Sequence, residues 1–217
     1  VDVMKVILTL PGVQSVGENS TGINVRGGAT SQNLILFNDA TIYNPSHLFG
    51  FFSAFNPDVI KGVELYKGGV PAEYGGRLAS VLEVTSREGN KKNFSGSGGI
   101  GPITGRLALE GPIVKDKISF LAGGRSTYSN WLLSVVPDKS IKNSRGSFYD
   151  FNTHISAELN EKNSLYLSGY MSNDKFQLGN DTLYQYSSLN GTIKWKHIFK
   201  DKLYGVFTTG FNRYDFN

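Results

Sequence analysis

The densest group of chemically active side chains lies in "VELYKGGVPAEYGGRLASVLEV", Val63 to Val84. Here Lys67, Glu73, Tyr74 and Arg77 are set among Gly68, Gly69, Gly75 and Gly76. Two cations, a carboxylate and a phenol can form ion pairs and hydrogen bonds, but no nucleophile–base pairing is among them. Glu73 and Arg77 stand four apart, so they can pair locally or reach an opposing wall. The glycines supply positive φ or close backbone approach, and Pro71 stiffens the turn between them. The stretch reads as a β-turn-β unit built to sit tightly against another surface, with charges as its contacts. Elsewhere the chemistry thins out. His47, His154 and His197 lie far apart without second ligands at metal spacing. "GSGGIG", Gly96 to Gly101, has no phosphate-binding lysine after it. No cofactor site and no enzyme are expected. Cys 0 excludes a disulfide framework and thiolate metal sites. Lys and Arg are scattered among the acids, unlike the clustered footprint of a nucleic-acid binder.

The elements that must carry these groups have two textures. Residues 1–90 are short and mixed, an α+β pattern. Asp2 to Leu10 suits one or two helical turns before Pro11-Gly12. Ile23 to Arg26, Asn33 to Phe37, Val59 to Lys67 and Leu78 to Arg87 suit strands, with a tight turn at Asn38-Asp39-Ala40. Tyr43 to Asn56 is either a helix or a packed loop, since periodicity does not decide it.

Residues 91–217 alternate. Phe151, Thr153, Ile155, Ala157 and Leu159 oppose Asn152, His154, Ser156, Glu158 and Asn160, and Ser164 to Ser172 repeats the pattern. A period of two gives one apolar and one polar face. Seven antiparallel strands are expected, at roughly 94–101, 104–111, 117–128, 148–159, 164–174, 185–199 and 202–215. Short polar turns at Pro112–Lys117, Asn160–Asn163 and Lys200–Lys202 alternate with long connections at Ser129–Ser147 and Asn173–Tyr184. That sorting of loops is the habit of an outer-membrane β-barrel. A transmembrane helix is not expected, as no run of about 18 apolar residues occurs. The opening "VDVMKVILTLPGV" lacks the features of a signal peptide and reads as the interior of a longer protein.

Four motifs then fall in order. "INVRGG", "NLILFNDATIYNP", "VELYKGG" and "AEYGGRLASVLEVTSR" resemble the plug-domain signature of TonB-dependent outer-membrane receptors across Leu10 to Arg87. Ala40 stands where that family usually ends a strand in Asp-Gly. "LEGPIVKDKISFLAGGRSTYSNWL" is similar to the first barrel hairpins of such receptors from Bacteroidetes-type bacteria. The Tyr-Gly segment is less similar to that of the glycan-importing subfamily.

The resemblance implies a plug domain at 1–90, followed by an incomplete transmembrane barrel at 91–217. Complete barrels of this kind have about 22 strands around a plugged lumen. The implied function is import of a scarce small solute, with the plug gating the lumen. The implied location is the outer membrane of a Gram-negative cell. Implied partners are the TonB energy-transducing complex, acting through a segment outside this chain, the solute, outer-membrane lipid and a surface lipoprotein. Family plugs carry basic residues facing barrel glutamates. Carried over, this makes Arg26, Lys67 and Arg77 candidates to face Glu110, Glu158 and His154, with Glu110 the preferred partner. Asn130 and Trp131, beside a long connection, are candidates to face solute. The alternatives are a receptor of mainly signalling role, or a soluble all-β carbohydrate-binding or adhesin module.

Overall fold

The computed structural model describes residues 2–16, 22–128, 130–131, 144–177 and 182–217. It begins with helix α1 (Val3–Ile7), whose start is fixed by Asp2: one carboxylate oxygen accepts from Met4 N at 2.9 Å and Lys5 N at 3.3 Å. Its other oxygen accepts from Ser53 N at 3.0 Å, tying the helix to a distant loop. Val3, Met4 and Ile7 bury the helix against the core, and the chain turns away before Pro11. Strands β1 (Val13–Ser15) and β2 (Ile23–Val25) form a small antiparallel pair.

A four-stranded sheet follows, built from β3 (Asn33–Phe37), β4 (Ala40–Thr41), β7 (Ile60–Tyr66) and β8 (Ser80–Ser86) in the order β4-β3-β8-β7. Between β4 and β7 lies the minor pair β5 (Ser46–His47) and β6 (Phe52–Ser53). Tyr43 to Asn56 is thus a packed loop with one 3-10 turn at Leu48–Gly50, not an α-helix. The β3–β4 turn is made by Asn38 and Asp39, at φ 47° and 67°. Those two residue types tolerate that region, so the turn does not require glycine at Ala40, which begins β4.

Seven strands then form one antiparallel sheet in chain order: β9 (Ser95–Ile100), β10 (Thr104–Val114), β11 (Ile118–Thr127), β12 (Arg145–Asn160), β13 (Asn163–Gln177), β14 (Tyr184–Lys200) and β15 (Leu203–Phe216). The expected strands are all present, most of them longer by a few residues. The connections at 115–117, 161–162 and 201–202 lie at one end of this wall, here the turn end. The spans 101–103, 128–144 and 178–183 lie at the loop end, the latter two largely outside the described residues.

The two faces of the wall are inverted relative to a water-soluble sheet. Facing away from the first ninety residues are exposed Leu107, Leu109, Phe151, Met171, Leu189, Ile193, Phe207 and Phe211. Facing toward them are buried Asp150, Asn152, His154, Ser156, Ser172, Asp174, Asn190 and Thr192. The apolar core lies instead within the small domain, around Ile23, Val25, Ile35, Phe37, Phe55, Val59, Leu82 and Val84, sealed on the wall side by Ala108, Leu121 and Tyr170. An apolar outer band with a polar inner face is the pattern of a membrane barrel. Among the described residues no helix is long and apolar enough to cross a membrane, which has no bearing on strands that do.

Close backbone approach locks the exit from the small domain to the wall. A Cβ on buried Gly89 would stand 2.0 Å from Phe120 O. Gly89→Ala must therefore shift either the linker or β11. Overpacking of this kind costs about 1–3 kcal/mol, more than the smaller gain from a less flexible unfolded chain. We expect a lower denaturant midpoint for the small domain in detergent micelles, with wall circular dichroism retained.

Candidate functional site

The site that joins the two parts is a buried charged group on the loop-end half of the wall. Strands β11, β12 and β13 place Arg125, Asp150 and Asp174 on their inward faces. The loop Ser46–Ser53 brings His47 between the two carboxylates. His47 Nδ1 lies 2.7 Å from Asp174 Oδ2, and Nε2 lies 3.1 Å from Asp150 Oδ2. The ring stacks on Phe148 with centroids 4.2 Å apart and planes 4° from parallel. Asp174 Oδ1 accepts from Leu48 N at 3.1 Å, so one carboxylate holds two successive residues. Arg125 donates from Nε to Asp150 Oδ2 at 3.0 Å and also pairs with it through Nη2. Its Nη2 reaches Ser53 O at 2.9 Å and its Nη1 reaches Phe55 O at 3.4 Å. Two cations and two anions thus balance where both aspartate side chains are fully buried.

Desolvation by burial is the largest effect on His47 and opposes its charge. Hydrogen bonds and charge attraction from Asp150 and Asp174 together outweigh it, and the imidazole is raised above its ordinary value. A pair of ionised carboxylates can only accept, so the two contacts suit an imidazole with a proton on each nitrogen.

Further contacts run down the seam. Lys194 pairs with Asp39 at 2.6 Å, and Thr192 Oγ1 donates to Asn38 O at 2.9 Å, so β14 grips the tip of the β3–β4 turn. Arg106 pairs with Asp58 at 2.6 Å. Near the turn end, Glu110 pairs with Arg87 and accepts from Asn90 N at 3.0 Å and Ser95 Oγ at 2.9 Å. Glu158 pairs with Lys91.

The pairing expected from the sequence is corrected here. Glu110 and Glu158 meet Arg87 and Lys91, not Arg26, Lys67 or Arg77. Lys67 Nζ donates to Pro11 O at 2.7 Å, within the small domain. Arg26, at φ 50°, lies over Gly68, where an added Cβ would come within 2.9 Å of its Nη1. Arg77 Nη1 reaches only as far as Gly76 O, at 3.3 Å. All three occupy or adjoin the glycine turn, whose contacts shown here stay within the small domain, whereas Arg87 and Lys91 lie on the chain leaving β8 toward β9.

In the turn itself Gly69 and Gly76 have φ of 63° and 82°, the left-handed conformations for which glycine is suited. Gly68 and Gly75 sit beside them. Tyr74 donates to Glu83 Oε2 at 2.6 Å, and its ring centroid lies 5.6 Å from that of Tyr66. Burial and the Glu83 hydrogen bond push the Tyr74 phenol up, with Glu73 adding a smaller like-signed effect. Asn130 accepts from Gly146 N at 3.1 Å, and Trp131 donates to Pro102 O at 3.2 Å, both at the loop end. His154 meets Ser168 Oγ at 2.9 Å on the inner face.

The central residues His47, Asp150 and Asp174 were not singled out by sequence reasoning. Asp150 was within reach: extending the polar face of Phe151–Asn160 two residues backward arrives at it. Nothing in the sequence places His47 opposite it, 103 residues away.

This geometry, a small α+β domain pinned by charges to the polar inner face of an antiparallel wall, agrees with the comparisons. Residues 1–81 match the family described as TonB-dependent Receptor Plug Domain, and no sequence among the curated proteins matches the chain. Among solved structures, the siderophore receptor PirA from Pseudomonas aeruginosa is similar, with TM-score 0.70 and 17% identity over 100% of this chain and 38% of that one. PirA from Acinetobacter baumannii has TM-score 0.72 and 14% identity, covering 98% of this chain and 37% of its own. BauA, the ferric preacinetobactin receptor from Acinetobacter baumannii, has TM-score 0.69 and 14% identity, covering 99% and 35%. The match over residues 1–81 and the fold of the chain together are those of a plug with the first strands of its barrel. It spans well under half the length of these receptors.

Proposed function

We propose that the chain is the plug and first wall strands of an outer-membrane importer, with the plug closing the lumen until it is drawn aside. The observation that carries this is the inverted wall: polar and charged toward the plug, apolar toward the surroundings. An enzymatic role has no support from the site, whose charged groups are consumed by one another. Plug and wall divide near residue 90, between the end of β8 and the start of β9. The solute class to test first is a ferric siderophore, because the structural neighbours are receptors for such chelates. The energy source is the TonB complex, and the apolar band is the surface that meets membrane lipid. Asn130 and Trp131, at the loop end, are the candidates to face the solute, and a surface lipoprotein is a further partner.

The test is uptake of labelled ferric siderophore by iron-limited cells carrying the intact receptor. Uptake abolished by a protonophore supports an importer. Binding with no uptake favours a signalling receptor, and a protein monodisperse without detergent favours a soluble module.

Arg87 and Glu110 hold the turn end of the plug, and their side chains are partly exposed, at 31% and 15%. Arg87→Ala is therefore expected to cost about 1–2 kcal/mol, between a surface pair and a buried one. Arg26→Ala and Lys67→Ala should loosen the glycine turn and leave plug retention closer to wild type. Trypsin release of the plug from the purified receptor ranks the three; equal release would remove the assignment.

A further inference from the structure

The latch residue next to His47 is held in an unusual conformation. Leu48, 8% exposed, has φ 49°, in the left-handed region that a bulky side chain rarely adopts. Such a conformation persists only where its surroundings over-determine it. Here the determinant is visible: Asp174 accepts from Leu48 N through one oxygen while its other oxygen meets the His47 ring. The turn continues through Gly50, at φ 108°, to Phe51, which is 58% exposed at the plug surface.

We propose that Leu48–Phe51 is a spring-loaded turn, clamped by Asp174 and charged His47, which relaxes and frees this corner of the plug when the imidazolium is lost. The inference rests on the plug reading but concerns a device within it. Charged and titratable groups facing His47 are Asp150 on β12, Asp174 on β13 and, behind Asp150, Arg125 on β11. The phenols of Tyr170 and Tyr214 lie near the same carboxylates. With the ring charged, cations and anions balance at two each. With the ring neutral, one buried carboxylate lacks its counter-charge and a nitrogen lone pair faces an acceptor. The neutral ring keeps one N–H for two carboxylates, so the clamp loses one of its bonds and its balance of charge, and Leu48 is free to leave the left-handed region. The raised histidine sets the sign: the clamp is complete below pH 6.5 and is lost as pH climbs through the higher folded value.

Amide hydrogen exchange of Leu48 in the intact receptor, in micelles, tests this directly. After correction for base-catalysed chemistry, protection should fall by about tenfold or more across the alkaline limb. His47→Gln should remove that pH dependence. Protection of Leu48 that is flat with pH in wild type overturns the proposal, as does His47→Gln keeping the wild-type pH dependence. Absence of siderophore uptake with this exchange pattern intact would refute the siderophore-importer reading and leave the device standing.

Discussion

Arg125→Ala is expected to release the plug more readily than any other single change at the seam. The guanidinium is 9% exposed, pairs with a fully buried Asp150, and satisfies the carbonyls of Ser53 and Phe55. Alanine leaves a buried carboxylate short of a partner and takes the guanidinium donor from the Ser53 carbonyl, while Phe55 O keeps the Ser53 hydroxyl. Removing one member of a buried ion pair costs about 3–5 kcal/mol. Arg125→Lys keeps the charge and gives up the fork that reaches both carboxylate and backbone, so an intermediate loss is expected. Hydrogen exchange across Asn33–Phe37 in the intact receptor reports plug opening, and planar-bilayer conductance reports the leak that follows. A variant as tight as wild type in both measurements would show that the seam is held elsewhere.

His47→Leu is expected to be next in size, at about 3 kcal/mol. Asp150 keeps Arg125, but Asp174 loses the only charged group shown beside it. Replacing Asp174 by leucine in the same protein should recover only part of the loss, because no charge is stranded but the Leu48 N–H loses its acceptor. The loss should also depend on pH with a definite sign. His47 is raised, so its contribution is whole below pH 6.5 and declines as pH rises through the folded value. Wild type should therefore approach His47→Leu in plug retention on the alkaline side, while the variant stays level. Urea titrations in micelles at several pH values measure both. Parallel curves at every pH would contradict a charged His47.

Much of the wall was legible because strand periodicity survives translation into structure. Phe151 to Asn160 alternates in sequence and occupies β12 with its polar set turned inward, as alternation requires. The turn at Asn38-Asp39 was also readable, because those residue types favour positive φ. Tyr43 to Asn56 was not. Its aromatics have no period because they pack in different directions: Phe55 into the plug core, Phe52 against Phe148 on the wall, and Phe51 into solvent. Partner choice was hidden for a related reason. Arg26, Lys67 and Arg77 are basic residues at motif positions, but their direction depends on how the β-turn-β unit sits, which no local pattern encodes. Arg87 and Lys91 meet the wall because the chain is already leaving the plug sheet for β9. His47 was passed over because a lone histidine in a loop has no signature until two aspartates from separate strands close around it.

The row Asp150, Asn152, His154 and Ser156 on β12, with Ser172 and Ser168 beside it on β13, bears on what remains once the stopper has gone. A greasy lining would pinch shut or seize whatever hydrophobic chain came near. Hydroxyls, amides and carboxylates would instead find solvent a ready substitute for a departed partner, so on the importer reading this stretch of wall would stay wetted. Closing again would need those same groups to trade water for their former neighbours, and Ala108, Leu121 and Tyr170 to repack against the small domain's core.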